Sequence, residues 1–463
     1  MPDRLSALDA SFLYLETPKV HMHVGGLAIL DPSGAPRPLT VERLRDLTAS
    51  RLHRVPRFRQ QVLFPPFGSG RPAWVDAADL ALDFHVRRAV VPPPGGPREL
   101  ADLTARIHSQ QLDRGRPLWE MHLIDGLEDG YQATLTKAHH AMLDGIGGMD
   151  ACALLLDHDP DPPLLTVLPW QPEPQPTPIR MLRDALLDRV TEPAGALGRT
   201  MINVIRDPRA VMKDAGAVAE GMVGLVRRGL APLSPFNTAI GGSRRFAMTE
   251  ISLDEARAVK RSLGGTVNDV ILTTLAGALW RLLEHRGEPV EGRALRSLMP
   301  ESLRTAADRP GQGNQVTTFF VDLPVGPMEA TERLRLVNAE TRRLKASHQD
   351  DAATGLIHLA MLAPPGLHAA LARFGNGHQR VINLVASNVP GPQIPLYLDG
   401  TRLVAYYPLM PLGATVALSV GIVTLVGVMG FGFTADWAAF PDLELLAAYT
   451  RDSFDELRKA AAV

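Results

Sequence analysis

Between Asp157 and Pro178 the chain reads DHDPDPPLLTVLPWQPEPQPTP, with eight prolines in 22 residues. Proline fixes its own φ and has no backbone N–H, so neither a helix interior nor a central strand can run through such a stretch. It must be an extended linker or surface crossover, and it cuts the chain in two. Length asks for the same division, because 463 residues exceed what one hydrophobic core usually serves. We therefore read 1–160 as an N-terminal domain, 161–240 as the proline-rich crossover with a helical linker, and 241–463 as a C-terminal domain. No internal repeat relates the parts.

Helical and strand periods mix in both outer parts, an α/β (α+β) pattern. In the first, Val41 to Val55 and Arg98 to Leu112 predict amphipathic helices, and Tyr131 to Ala138 alternates as a strand. Met149 to Leu156 predicts the start of a buried helix, and Ile179 to Pro232 two or three further helices. In the last part, Phe246 to Ile251 reads as a strand, and Leu253 to Leu263 and Asn268 to His285 as helices. Strands are expected again at Ala294 to Met299, Gln315 to Leu323 and Val381 to Asn388, and Asp442 to Ala461 closes the chain as an amphipathic helix. From Leu403 to Ala435 no residue is charged, a length that could span a bilayer. Glycines at 413, 421, 427, 430 and 432 interrupt it and Val and Thr dominate, which suits two buried strands joined by a turn.

A composition of 45% hydrophobic and 21% charged residues belongs to a folded chain, and a net charge of −2 gives nucleic acid nothing to bind. The arginine pairs Arg87-Arg88, Arg227-Arg228 and Arg244-Arg245 are scattered. They read as solvated faces or helix ends, with a local phosphate-binding patch as the alternative. The single cysteine, Cys152, excludes an intramolecular disulfide framework, fits a reducing cytoplasm and reads as core rather than nucleophile. The opening MPDRLSALDASF has no long apolar run of a signal peptide, and no lipidation motif is evident. The expectation is a cytoplasmic protein, with peripheral contact to a membrane or lipid droplet left open and oligomeric state unassigned.

The chemistry concentrates in His139-His140-Ala141-Met142-Leu143-Asp144-Gly145, where the expected strand meets a glycine-rich turn. An imidazole has an ordinary pKa near 6.5, so one well-placed histidine can take and return a proton at neutral pH. Side chains alternate along a strand, so His139 and His140 should point to opposite sides. Adjacent residues facing apart are poor joint metal ligands, and no HExxH spacing or cysteine cluster accompanies them, so no metal is expected. One histidine can work in a cleft while the other packs or hydrogen-bonds behind it. Asp144 can orient an imidazole or hold the loop by pairing with an arginine.

This heptad resembles the HHxxxDG signature of the CoA-dependent acyltransferase superfamily, which includes chloramphenicol acetyltransferases and peptide-synthetase condensation domains. Within it the chain is similar to the bacterial wax ester synthase/acyl-CoA:diacylglycerol acyltransferase family. The landmarks are Leu5 to Leu15 with Met22-His23-Val24-Gly25-Gly26, Pro117-Leu118-Trp119-Glu120, Thr266-Val267-Asn268-Asp269-Val270, Ser302-Leu303-Arg304, Gly313-Asn314-Gln315 and Asn388-Val389-Pro390-Gly391-Pro392. The resemblance implies two chloramphenicol-acetyltransferase-like domains, each a mixed sheet flanked by helices, with the active-site tunnel between them. It implies an acyltransferase moving a long-chain acyl group from acyl-CoA, a co-substrate, to a fatty alcohol or diacylglycerol, with no further cofactor.

The superfamily's usual assignment makes the second histidine, His140, the general base. His139 would support the loop, Asp144 fix the turn with Arg304 as a partner, and Gly145 permit a conformation that a Cβ would obstruct. Asn268 either holds the developing oxyanion or caps the helix beginning beside it. Pro117 and Trp119 would shape the wall, and His21, His23 and His85 read as surface or packing residues. Two alternatives stand beside this reading: a condensation-like enzyme using a carrier-protein thioester, and a silent lipid-binding scaffold.

Overall fold

The computed structural model describes residues 3–142, 155–161, 166–187, 229–302, 316–346 and 379–463, and in them the alternating segments pair into two six-stranded mixed sheets. The first runs, in spatial order, β12 (Tyr397–Leu398), β13 (Thr401–Leu409), β2 (His23–Asp31), β7 (Gln132–His139), β6 (Trp119–Asp125) and β5 (Val86–Val90). Only its β5–β6 pair is parallel. The second runs β10 (Val316–Pro324), β9 (Ala294–Ser302), β11 (Leu384–Pro390), β14 (Leu418–Leu425), β15 (Val428–Asp436) and β8 (Arg244–Ser252). There β11 is parallel to both neighbours. A small third sheet joins β1 (Asp3–Arg4), β4 (Ala73–Asp76) and β3 (Gln60–Leu63).

Helices cover both large sheets. The first lobe carries α1 (Ala7–Leu15), α2 (Val41–Arg51), the short α3 (Leu82–His85) and α4 (Pro97–Ser109). The second carries α5 (Leu253–Leu263), α6 (Val267–His285), α7 (Ala330–Ala346) and α8 (Leu443–Ala460). Their starts follow local signals: Thr40 accepts the Arg43 N–H ahead of α2, and Ser252 the Glu255 N–H ahead of α5. α6 is apolar around most of its circumference, so it lies inside, packed by α7 and α8 over the second sheet. In the crossover, Asp157 bridges to Tyr397, 166–177 has no regular structure and 178–187 is helical. The helices expected between Met149 and Leu156 and beyond residue 187 fall mostly outside the described residues.

The uncharged stretch departs from its reading as two strands. It makes three, and they serve different sheets. β14 and β15 form the expected hairpin in the second sheet, whereas β13 leaves to pair with β2 in the first. It then packs face-on against β14 and β15. Glycines make room for it: a Cβ on Gly26 would strike the Tyr406 ring, one on Gly421 the Pro408 ring, and those on Gly430 and Gly432 the backbone oxygens of Tyr406 and Pro408. The glycines that break a membrane-helix pattern are thus a bed for a crossing strand. No helix among the described residues is long and apolar enough to cross a membrane.

Candidate active site

The pleat of β7 separates the two histidines as expected. His139 is the strand's last residue, paired across from His23, and His140 begins a 3-10 turn through Met142. His139 is 1% exposed, whereas His140 is half-buried and faces a cavity. Behind the sheet, His139 Nδ1 accepts the Ala141 N–H at 3.1 Å, tying down the residue after His140. An accepting Nδ1 assigns the ring proton to Nε2, which lies 3.7 Å from Glu16 Oε2. Burial, against the pull of Glu16, brings the His139 pKa to about 3, so the ring is neutral at pH 7.

Glu16 sits at the end of α1, where Arg114 donates to its Oε2 from Nε at 2.8 Å and from Nη2 at 2.5 Å. Burial opposes ionisation of Glu16, but the His23 and His139 rings beside it and the Arg114 guanidinium outweigh it and hold the pKa at about 2. On the other face, the His140 N–H donates to Met22 O at 2.7 Å. Its ring lies against Phe12 of α1, centroids 4.0 Å apart. The catalytic candidate is therefore gripped through its backbone and one ring face.

The cavity that His140 faces has a volume of about 1150 Å³ and is walled by both lobes. Ile271, Met299, Phe319, Val321, Ile422 and Val423 give it an apolar lining. Trp119 closes one side as expected: its indole stacks between Phe58 and His85, at 5.0 and 4.5 Å, and donates Nε1–H to Phe58 O at 2.9 Å. Glu120 beside it faces Arg87 at 3.1 Å and Lys137 at 3.4 Å. There burial is outweighed by the His122 hydrogen bond and these two cations, which bring its pKa to about 2.

Asn268 lines the same cavity from the second lobe, but not as a helix cap. Thr266 caps α6, accepting the Asp269 N–H at 3.1 Å, while Asp269 accepts the Thr266 N–H at 2.8 Å. This is a capping box, and it removes the capping alternative for Asn268. Asp269 also accepts from Asn338 Nδ2 at 2.8 Å and Thr341 Oγ1 at 2.7 Å, so it locks α6 to α7. Asn268 Oδ1 accepts from Asn388 Nδ2 at 3.3 Å, which leaves the Asn268 N–H groups as the donors turned elsewhere.

Of the expected site residues, His139, His140 and Asn268 are described; Asp144, Gly145, Arg304 and Cys152 lie outside the described residues. Of the surface and packing alternatives for His21, His23 and His85, the structure takes packing. All three are buried, His21 and His23 in one histidine cluster with His108 and His139, and His85 against Trp119. Of the arginine pairs, Arg87 and Arg88 hold Glu120 and Asp125, and Arg244 is buried against backbone carbonyls. Sequence reasoning missed Glu16, Arg114 and the partner role of Asn388. Glu16 and Arg114 carry no motif, whereas Asn388 stood within a landmark that had no role attached.

Residues 5–271 match the family model described as wax ester synthase/diacylglycerol acyltransferase catalytic domain, and residues 312–458 match the WS/DGAT C-terminal domain. The chain belongs to this family. It is accordingly an acyltransferase, and its relatives agree along their whole lengths. A probable diacylglycerol O-acyltransferase of Mycobacterium tuberculosis (strain ATCC 25618 / H37Rv) is 33% identical over 466 residues, covering 100% of both chains. A putative diacylglycerol O-acyltransferase of Mycobacterium bovis shows the same 33% over 466 residues and the same coverage. Among solved structures, a wax ester synthase/diacylglycerol acyltransferase from Marinobacter aquaeolei VT8 superposes with TM-score 0.72 at 27% identity, covering 100% of both chains. The first condensation domain of the CDA synthetase shares the fold at TM-score 0.57 and 16% identity, over 100% of this chain and 97% of its own.

Proposed function

We propose that this WS/DGAT protein transfers a long-chain acyl group from acyl-CoA to the hydroxyl of a fatty alcohol or diacylglycerol, giving wax ester or triacylglycerol and free CoA. Acyl-CoA is a co-substrate, and no further cofactor takes part. The observation that carries the reading is the cavity: the half-buried histidine of the heptad faces a large apolar space, with an asparagine amide on its opposite lobe. At about 1150 Å³ it exceeds the roughly 300–1,000 Å³ of ordinary small-molecule clefts, as two long-chain substrates require.

In this mechanism His140 takes the acceptor's hydroxyl proton as the oxygen bonds to the thioester carbon. The carbonyl oxygen becomes an oxyanion, toward which Asn268 donates an N–H. The C–S bond then breaks, and the proton held by His140 passes to the leaving thiolate. No acyl-enzyme forms. His139 is a positioning residue, holding the turn through Ala141.

The test is purified protein with labelled palmitoyl-CoA and hexadecanol or diacylglycerol, read as neutral lipid plus free thiol. His140→Ala should slow transfer by about 10²-fold or more with the fold intact. A folded His140→Ala protein of near-normal rate would sink the mechanism, and no thiol release with any acceptor would favour a silent scaffold.

A further inference from the structure

Glu16 is a buried charge for which the proton transfers through His140 have no use. It is the residue that ends α1, and its side chain is 3% exposed. A carboxylate is costly to keep in such a place, so its surroundings should say what it does there. Three groups face it. Arg114 grips Oε2 with two N–H groups, His139 Nε2 lies 3.7 Å from the same oxygen, and His23 Nε2 lies 3.6 Å from Oε1.

Anchoring α1 does not require that carboxylate. Arg114 also donates to Leu13 O at 3.0 Å, the Glu16 N–H closes the helix on Phe12 O, and Ala10 and Leu13 are buried in the first lobe. The Phe12 ring that packs on His140 is thus held by the backbone and core of α1. What the carboxylate adds is negative charge beside one nitrogen of His139.

That nitrogen decides whether His139 can hold the turn. A neutral imidazole carries one proton, on Nε2 or on Nδ1. With the proton on Nε2, the N–H dipole points toward the carboxylate and Nδ1 accepts the Ala141 N–H. With the proton on Nδ1, a lone pair would face the anion and two N–H groups would face each other at Ala141. Both ends favour the same tautomer so long as Glu16 is ionised, as its pKa of about 2 ensures at neutral pH. Without the carboxylate the bias reverses, because Arg114 then presents a cation on the Nε2 side, where a lone pair suits it better.

We infer that Glu16 is a positioning residue for acyl transfer: it selects the Nε2–H tautomer of His139, which holds Ala141 and with it the turn that aims His140. This rests on His140 as the base. The carboxylate acts by placing a hydrogen on a neighbour and never meets the substrates.

The experiment measures kcat and KM with palmitoyl-CoA and hexadecanol in Glu16→Leu, His139→Ala and the double variant. Nitrogen NMR shifts of the His139 ring, identified by their loss in His139→Asn, report its tautomer. Glu16→Leu should lower kcat about 10-fold with KM changed by about 2-fold or less, because His140 is loosened and no substrate contact is lost. Since the effect passes through His139, the double variant should lose about 10-fold as well, where independent roles would multiply to about 100-fold. His139 should carry its proton on Nε2 in the wild type and on Nδ1 in Glu16→Leu. Glu16→Gln keeps an oxygen for Arg114 and for Nε2–H, so it should keep both the wild-type tautomer and most of the activity. Losses that multiply, or a wild-type ring protonated on Nδ1, would overturn the inference. If Glu16→Leu does not fold, Glu16→Gln decides: a large loss of kcat with the tautomer unchanged overturns it too. Near-normal turnover in His140→Ala would overturn the base reading itself, whereas an inactive His140→Ala beside multiplying losses overturns the role of Glu16 alone.

Discussion

Replacing His139 by alanine separates the two histidines' jobs more sharply than replacing His140 alone. The His139 ring is fully buried, and its Nδ1 accepts the Ala141 N–H. Without it that N–H loses its partner in a dry site, at about 1–3 kcal/mol, and the vacated ring volume adds a cavity term, for about 3–5 kcal/mol in all. At roughly 2–4 °C per kcal/mol, the melting temperature should drop by about 6–20 °C. His139→Asn, which keeps a side-chain acceptor, should recover part of it. Activity should fall about 10-fold because the turn carrying His140 loosens, against about 10²–10⁴-fold when the base itself is removed. The pH profile is the decisive readout. His139 is neutral down to a pKa of about 3, so it cannot set the acid limb of kcat/KM near neutrality. That limb should survive in His139→Ala. If the limb is lost with His139, or both folded variants lose activity equally, the division of labour is wrong.

Three further expectations follow from the packing. Burial holds the pKa of His21 at about 4 and of His139 at about 3, and also lowers His23, His85 and His108, while the unfolded chain titrates near 6.5. The folded state thus binds fewer protons. The stability from these groups is complete above pH 6.5 and declines as pH falls toward 4 and 3, by about 1.4 kcal/mol per pH unit for each proton. Melting curves at pH 7.5, 6 and 5 check this, and a flat melting temperature contradicts it. Gly26→Ala and Gly432→Ala should each lose about 1–3 kcal/mol of stability. Tyr406→Ala should rescue the first, which meets a side chain, while Pro408→Ala should not rescue the second, which meets a carbonyl oxygen. Asp269→Ala, which strands three donors, should lower stability by about 3 kcal/mol or more. Thr266→Ala should lose only about 1 kcal/mol, and comparable unfolding midpoints would refute Asp269 as the link between α6 and α7.

Much of this architecture was legible because local rules decide it. Leu253 to Leu263 became a helix with the expected bounds, since its apolar residues keep one period between Ser252 and Gly264. The opposed histidines followed from the pleat alone. Where the reading failed, the missing information was non-local. Alternation makes 403–409 a strand but does not say which sheet receives it, and the partner, β2, lies nearly four hundred residues earlier. Glu16 looked like one more acidic residue because its importance comes from Arg114 and His139, which only the fold brings near. The cap of α6 is a different case: Thr266 and Asp269 stand at capping-box spacing, a signal present in the sequence and passed over in favour of Asn268.

The crossing of β13 also sets a timetable. During synthesis β2, β6 and β7 emerge early, but the strand that completes β2 arrives only about 270 residues after His139, roughly 15–50 s later at ordinary elongation rates. Until then β2 presents a row of unpaired N–H and C=O groups, the kind of edge that recruits strands from other molecules. The first half of this chain should therefore be unable to rest as a finished lobe by itself. A gene fragment ending before residue 401 should yield aggregate or chaperone-bound protein, and co-expression of the missing second half as a separate polypeptide should restore it.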